Sequence, residues 1–316
     1  MILNAKEVLP KVIDAYENGW GKIYDLGFKS LSPYYNIVEG SCTDWTGYAG
    51  SGKTELLLDC VKNCSEWYGH KYLIHMPDAG TPIEVLTHLM HKISGKQFDE
   101  FYIDKFGEKR EIQNRLSKSE VMNLTPMVLD MFKIFVPSET GSKAVTPLEF
   151  WKYAVDNKKK LGLFGAVIDS WNYMNHDTKG FSREDKWLEH VLSSRNMMAE
   201  NSGMHFHTII HPTSEKKDKD GKRMMPDKYS LKGGSEWANN GKSMIIVDRP
   251  FGSKITDVKI EKAKPKRVGH EGIVALQFDV AVGSFYEVVG TGEKRFPSLK
   301  TESKIEPNNE FNTAPF

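Results

Sequence analysis

Residues 47–54 read GYAGSGKT and satisfy G-x-x-x-x-G-K-[ST], the pattern of a phosphate-binding loop. Such a loop turns its backbone N–H groups toward a β-phosphate at a helix N-terminus. Gly47, Ala49, Gly50, Ser51 and Gly52 are the loop residues that would form this cradle. Lys53 is expected to reach the β- and γ-phosphates, and the Thr54 hydroxyl is expected to be a ligand for Mg²⁺. A second candidate is Asp169, which closes the apolar run LGLFGAVI. An acid at the end of such a strand, in a chain with a phosphate-binding loop, is placed to hold the Mg²⁺ shell as a Walker B residue. The structural alternative is a helix N-cap in the following loop. His205, His207 and His211 lie at even spacing, so an extended strand would put them on one face, as in a metal site. Ile209 shares that face and no Cys or acid accompanies them, which argues against metal.

The flanking sequence supplies the setting these residues need. SCTDWT, residues 41–46, has the Thr and aromatic content of a short strand. ELLLDCVKNCSEWY, residues 55–68, spaces its apolar residues as a helix with one buried face. Strands are expected at 71–76, 161–168 and 203–212, with helices over 81–93, 119–132, 146–160 and 183–201. The run 161–168 is apolar enough for a strand buried on both faces. After residue 230 the pattern turns β-rich, with KSMIIVD, ITDVKIEKAK, GIVALQFDV and GSFYEVV separated by glycine turns. The fold class is therefore α/β, with a mainly parallel central sheet flanked by helices and a β-rich C-terminal edge.

Composition narrows the class further. With 39% hydrophobic and 27% charged residues the chain is an ordinary globular protein, and no apolar run reaches the length of a membrane span. MILNAKEVLPKVIDAYENG lacks a signal peptide's layout and three cysteines make a poor disulfide framework, so the cytoplasm is the expected compartment. Cys60 and Cys64 read as core. Net charge is +1, so a nucleic acid would have to be held locally. Residues 214–232 carry seven Lys or Arg against four acids, and residues 259–271 five against two.

The order of features resembles the superfamily 4 hexameric replicative helicases, of DnaB and Twinkle type, especially the phage members. GFKSLSPYYNIVEGSCTDWTGYAGSGKTELLLD resembles the segment leading into that family's P-loop, where an acid, here Glu55, follows the Thr and is expected among the nucleotide-binding residues. MPDAGTP resembles its S-P-E-N-x-P segment, IDSWN its D-P-W-N Walker B, and His211-Pro212 its H-P sensor. LKGGSEWANNGKSMIIVDR resembles its G-S-x-x-W-x-N-K-x-D segment, and KAKPKRVGHEG its K-x-R finger. The resemblance runs from about Gly27 to Phe285.

It implies a RecA-like P-loop ATPase with ATP and Mg²⁺ as cofactors, single-stranded DNA as partner, and a homo-hexamer with nucleotide between subunits. Asp78 stands where the family's water-polarising Glu stands, one methylene shorter. His211 becomes the γ-phosphate sensor. Lys262, Lys264, Lys266 and Arg267 compete for the trans finger, with Lys264 and Arg267 the chosen pair. Lys232, Gly233, Gly234, Ser235 and Asn239 become the DNA-gripping loop. The rivals are a RecA-like recombinase or loader, and a nucleotide-binding scaffold with little turnover.

Three segments are expected: an N-terminal helical docking segment (1–26), the RecA-like domain (27–290) and a disordered tail (291–316). In the first, Val8, Val12, Ile13 and Tyr16 stripe one face of a helix over Ala5 to Glu17 that would dock on an adjacent subunit. Pro10 fits best in a first turn. The tail ends in Pro315-Phe316, a terminal carboxylate beside an aromatic ring that a primase, polymerase or other replisome protein could capture. A solvated tail is the alternative.

Overall fold

The computed structural model describes residues 4–103, 107–137, 145–221 and 223–297. The chain order is α1 (Ala5–Asn18), β1 (Ile23–Tyr24), β2 (Ile37–Val38), β3 (Cys42–Thr46), α2 (Lys53–Tyr68), β4 (Lys71–His75) and α3 (Pro82–Ser94). A small hairpin of β5 (Phe101–Ile103) and β6 (Lys109–Glu111) precedes α4 (Lys118–Met131), β7 (Phe132–Ile134), α5 (Pro147–Leu161) and β8 (Leu163–Ile168). Then come α6 (Glu184–Ser202), β9 (His205–Ile210), α7 (Gly234–Asn240) and β10 (Ser243–Asp248). The chain closes with β11 (Ile255–Lys262), β12 (Gly272–Asp279), β13 (Ser284–Val289) and β14 (Glu293–Arg295).

One ten-stranded sheet organises these elements, in the order β14-β13-β12-β11-β10-β3-β9-β8-β4-β7. From β10 to β7 every pairing is parallel; from β10 to β14 every pairing is antiparallel. The expected parallel core with a β-rich C-terminal edge is this sheet. Two apolar layers cover it. Leu56, Leu57, Val85, Leu89 and Val128 of α2, α3 and α4 pack on one face, and Phe150, Trp151, Leu188 and Leu192 of α5 and α6 on the other.

Helix starts follow their caps. Thr81, Ser117 and Thr146 each accept the N–H of a Glu three residues on, and that Glu returns the bond. The three cysteines are free and buried. Among the described residues no helix is long and apolar enough to cross a membrane.

Ordered elements lie across both expected segment boundaries. Tyr24 and Leu26 are buried in the core, and β1 pairs with β2. At the other end β14 extends the sheet past residue 290, and the Arg295 Nε donates to the Glu287 carboxylate at 2.7 Å. Neither strand is long enough to leave a periodic pattern, which is why hydropathy missed them. The tail beyond residue 297, including Pro315-Phe316, lies outside the described residues. Helix α1 forms as expected, with Pro10 inside it beyond the first turn, and none of its residues is buried.

The three-histidine face resolves into core contacts. His205 bonds the Thr43 hydroxyl and the Val38 carbonyl, both at 2.7 Å, and His207 accepts from the Trp45 indole at 3.3 Å. No metal cluster occurs among the described residues.

Burial pushes His70 down to about 4 from an ordinary 6.5. Because the unfolded chain takes the proton first, the stability tied to a neutral His70 is complete above pH 6.5. It is lost as pH falls toward 4. His70→Phe keeps a ring against Phe164 and removes the titration. Urea unfolding of this variant should show a loss between those pH values smaller by up to about 3 kcal/mol. An unchanged pH slope would mean that His70 protonates freely in the fold.

Candidate nucleotide site

The phosphate-binding loop leaves the C-terminal end of β3, whose five residues are all buried, and enters α2. Its geometry demands glycine at two points. A Cβ on Gly47 would stand 2.0 Å from the Val247 carbonyl, and Gly52 adopts φ +94° immediately before the helix. Lys53 is 5% exposed, and its Nζ donates to the Tyr48 carbonyl at 3.0 Å. Burial lowers its pKa, while Asp169 and Asp78 pull the other way. Thr54 donates its hydroxyl to Asp169 Oδ2 at 2.6 Å. Burial lifts the Asp169 carboxyl to about 6, against the opposing pull of Thr54 and Lys53. Asp169 does not cap a helix: Ser170 precedes the short 3-10 turn Trp171–Tyr173.

These residues fit a polyphosphate with a hard cation. Among the described residues the hydroxyls of Thr46, Ser51 and Ser170 are buried without a hydrogen-bond partner beside this loop and strand end. Thr54 and Asp169 offer oxygen donors of the kind Mg²⁺ takes. Asp78 follows β4 and is exposed; the Tyr173 hydroxyl donates to it, which lifts the tyrosine pKa. His211 stands one residue past β9, half-buried, and feels both Lys53 and Asp78 electrostatically. Its backbone N–H donates to the Asn172 side chain at 2.8 Å.

The remaining expected residues are spread more widely. Ala49 and Gly50 are exposed at the loop's tip and Ser51 is buried. The Glu55 carboxylate faces α3, bonded to Lys92 at 2.7 Å and His88 at 3.0 Å. Although burial opposes ionisation, those two partners hold it at about 2. Lys264 and Arg267 are exposed at the opposite end of the sheet, around a cavity of ≈ 480 Å³ shared with Gly40, Ser41 and Lys242. They cannot reach this chain's own Lys53, since β11 runs antiparallel to β10 and pairs Lys262 with Met244.

In the expected DNA loop, Lys232, Ser235 and Asn239 are exposed, and Lys232 pairs with Glu184 at 2.7 Å. Gly233 and Gly234 serve packing: a Cβ on either would stand 2.4 Å from Leu188 or 2.7 Å from the Tyr229 backbone. A cavity of ≈ 240 Å³ lined by His211, Asn172, Trp171 and Lys232 joins His211 to this loop.

Comparison with known proteins identifies the architecture. No protein-family model matches the chain. It is 22% identical over 309 residues to the Twinkle homolog protein, chloroplastic/mitochondrial, of Arabidopsis thaliana, covering 94% of this chain and 42% of that protein. The chain thus spans under half the length of this curated relative. The solved ATPase domain of G40P superposes with a TM-score of 0.67 at 17% identity, covering 90% of this chain and 99% of the other. A DnaB-like replicative helicase, described with its interactions with primase, superposes at 0.63 and 16% identity, covering 90% and 67%. The chain has a DnaB-like ATPase fold.

Within that fold, hydropathy and motifs missed the residues that brace the phosphate-binding loop from outside. Arg249, after β10, donates to the Gly50 carbonyl at 2.6 Å. Tyr48 receives the backbone N–H of Lys216 on its hydroxyl at 3.1 Å. Tyr48 occupies a variable position of the motif, where a large aromatic was the one available signal.

Because Lys53 is desolvated and carries no ion pair among the described residues, its removal should leave folding intact. For Lys53→Ala, the melting temperature should hold or rise by a few degrees, since a costly buried charge is removed. Binding of a fluorescent ATP analogue should weaken by roughly 10- to 150-fold, the loss of a charge-assisted contact on phosphate. Undiminished binding would take the loop out of the site.

Proposed function

We propose that the chain is the motor domain of an ATP-dependent replicative DNA helicase, a ring of copies translocating on single-stranded DNA and unwinding duplex. The observation that carries this reading is the Thr54–Asp169 hydrogen bond beside the buried, anion-seeking Lys53, at the C-terminal ends of parallel strands. ATP with Mg²⁺ supplies the phosphoryl chemistry. Lys53 exchanges its Tyr48 carbonyl for phosphate oxygens. Thr54 and Asp169 hold the cation, and Asp78, steadied by Tyr173, orients the attacking water. His211 reads the γ-phosphate position and passes it through the shared cavity to the loop at Lys232, Gly233, Gly234, Ser235 and Asn239.

Lys264 and Arg267 serve the neighbouring copy's nucleotide in this scheme, because the sheet separates them from their own. That requirement supports a homo-hexameric ring with a site at each junction. The DNA grip is largely electrostatic and falls with salt. A phage replication motor working in its host's cytoplasm is the setting we favour. Asp78's shorter side chain favours one rival, a nucleotide-binding scaffold with little turnover, and a recombinase or loader is the other.

Steady-state ATPase with and without single-stranded DNA, followed by strand displacement on a forked duplex, tests the proposal. DNA-stimulated hydrolysis with displacement supports a helicase. Stimulation without displacement supports a recombinase or loader, and absence of turnover supports the scaffold. In the same assay Asp78→Asn should lose about 100-fold or more of its stimulated rate while retaining ATP binding. A normal rate would assign the water to another acid.

Helix α1 presents Leu9, Val12, Ile13 and Tyr16 to solvent, with no covering residue among the described residues of its own chain. We assign it to the adjacent subunit, since a lone helix of this length is marginal in water. Deleting residues 1–17 should shift the species sized in ATP from ring toward monomer. Rings of undiminished stability would sink this assignment.

A further inference from the structure

The basic loop that follows β9 is fastened to the phosphate-binding loop by side chains that the hydrolysis scheme leaves unused. Tyr48 sits between the two. Its carbonyl accepts from Lys53 Nζ at 3.0 Å, and its hydroxyl accepts from the Lys216 backbone at 3.1 Å. The Arg223 guanidinium lies over its ring, 5.0 Å from the centroid. Arg223 in turn donates through Nη2 to Asp248 at 2.6 Å and to the Arg249 carbonyl at 2.8 Å. The circuit closes where Arg249 donates to Gly50 at 2.6 Å. Lys216 and Arg223 are themselves joined, since Met224 N–H donates to the Lys216 carbonyl at 2.9 Å and Lys217 pairs with Arg223. Lys217 and Lys219, on the same loop, are exposed.

We propose that Tyr48 and Arg223 are positioning residues that couple the state of the phosphate-binding loop to the DNA grip of the basic loop, alongside the path through His211. The inference rests on the helicase reading above. Its physical basis is a switch with two defined states. In one, Lys53 is held by the Tyr48 carbonyl; in the other, Lys53 has turned to phosphate and the Tyr48 peptide is released. Because the same residue's hydroxyl and ring hold Lys216 and Arg223, the change reaches the basic loop without passing through the sensor strand. A coupling of this kind is reciprocal: nucleotide alters DNA affinity by the factor with which DNA alters nucleotide affinity.

The test is anisotropy of a labelled oligo(dT), with and without a non-hydrolysable ATP analogue, on the full chain and on Arg223→Gln and Tyr48→Phe. The full chain should show a nucleotide-dependent ratio of DNA affinities within the usual range of roughly 5–150-fold. In Arg223→Gln, with the analogue at saturation, that ratio should fall to within about twofold of unity. Tyr48→Phe keeps the ring and loses the hydroxyl, so it should lose part of the ratio. Faster hydrogen exchange at the Lys216 amide in this variant supplies a second readout. A ratio preserved in both variants, or unaltered exchange at Lys216, overturns the coupling while the helicase reading stands. A full chain that binds no oligo(dT) overturns the helicase reading and the coupling together.

Discussion

Lys53 is a charge taken out of water before an opposite charge reaches it. Its direct partner is a backbone carbonyl, and the carboxylates that favour its charge, Asp169 and Asp78, act on it from across the crevice. An ammonium in that position costs several kcal/mol unless paired, so the loop is held in a state that an anion relieves. Everything nearby follows from keeping it there. Gly47 lets the backbone pass against Val247, the left-handed Gly52 aims the first turn of α2, and Thr54 meets Asp169 across the intervening strand.

Such a loop needs a rigid root, and β3 provides one. Asp44, in its middle, is fully buried and ion-paired with Arg195 of α6, whose guanidinium lies 5.6 Å from the Trp151 ring and 5.7 Å from the Trp237 ring. Removing one member of a buried pair leaves the other uncompensated, typically about 3–5 kcal/mol of destabilisation. The pair therefore ties four elements, β3, α5, α6 and α7, into one body behind the site. The sheet's direction does the rest: parallel strands deliver Thr46, His75, Ile168 and Ile210 to one end, and the antiparallel return of β11 carries Lys264 and Arg267 to the other. In the ring proposed above, a site split this way is completed where two copies meet.

What the sequence disclosed and what it concealed divide along a physical line. The glycine-rich loop, the acid at the end of an apolar strand and the long helices announce themselves because each is either a fixed pattern of residue types or a period sustained over many residues. Leu163–Ile168 was legible for the second reason and Gly47–Thr54 for the first. The strands at Ile23–Tyr24, Phe132–Ile134 and Glu293–Arg295 are too short to carry a period, so no hydropathy pattern marks them. The fate of Glu55 was hidden for a different reason. Adjacency to Thr54 puts it near the phosphates in sequence, but one step along a helix turns a side chain by about 100°, here toward Lys92 and His88 on α3. Asp44–Arg195 and Tyr48–Lys216 join residues far apart in the chain, and no local pattern encodes either.

The loop between β9 and β10 is where these constraints meet. It leaves His211 at the nucleotide end of the sheet, and its base is closed by the Thr213 N–H on the Ser230 carbonyl at 3.0 Å. Beyond that clasp it touches Tyr48, Asp248 and Arg249, and it returns through Lys232 and the packed Gly233-Gly234 into α7. A segment fixed at its base, its middle and its return has few ways to move alone. Displacement at the phosphate-binding loop must either break one of these contacts or carry the exposed lysines with it. Since Arg223 is buried enough to make its bonds to Asp248 and Arg249 worth more than surface pairs, carrying is the cheaper response. In the coupling proposed above, the contacts that fix this loop are thus the ones through which displacement at the phosphate-binding loop reaches it.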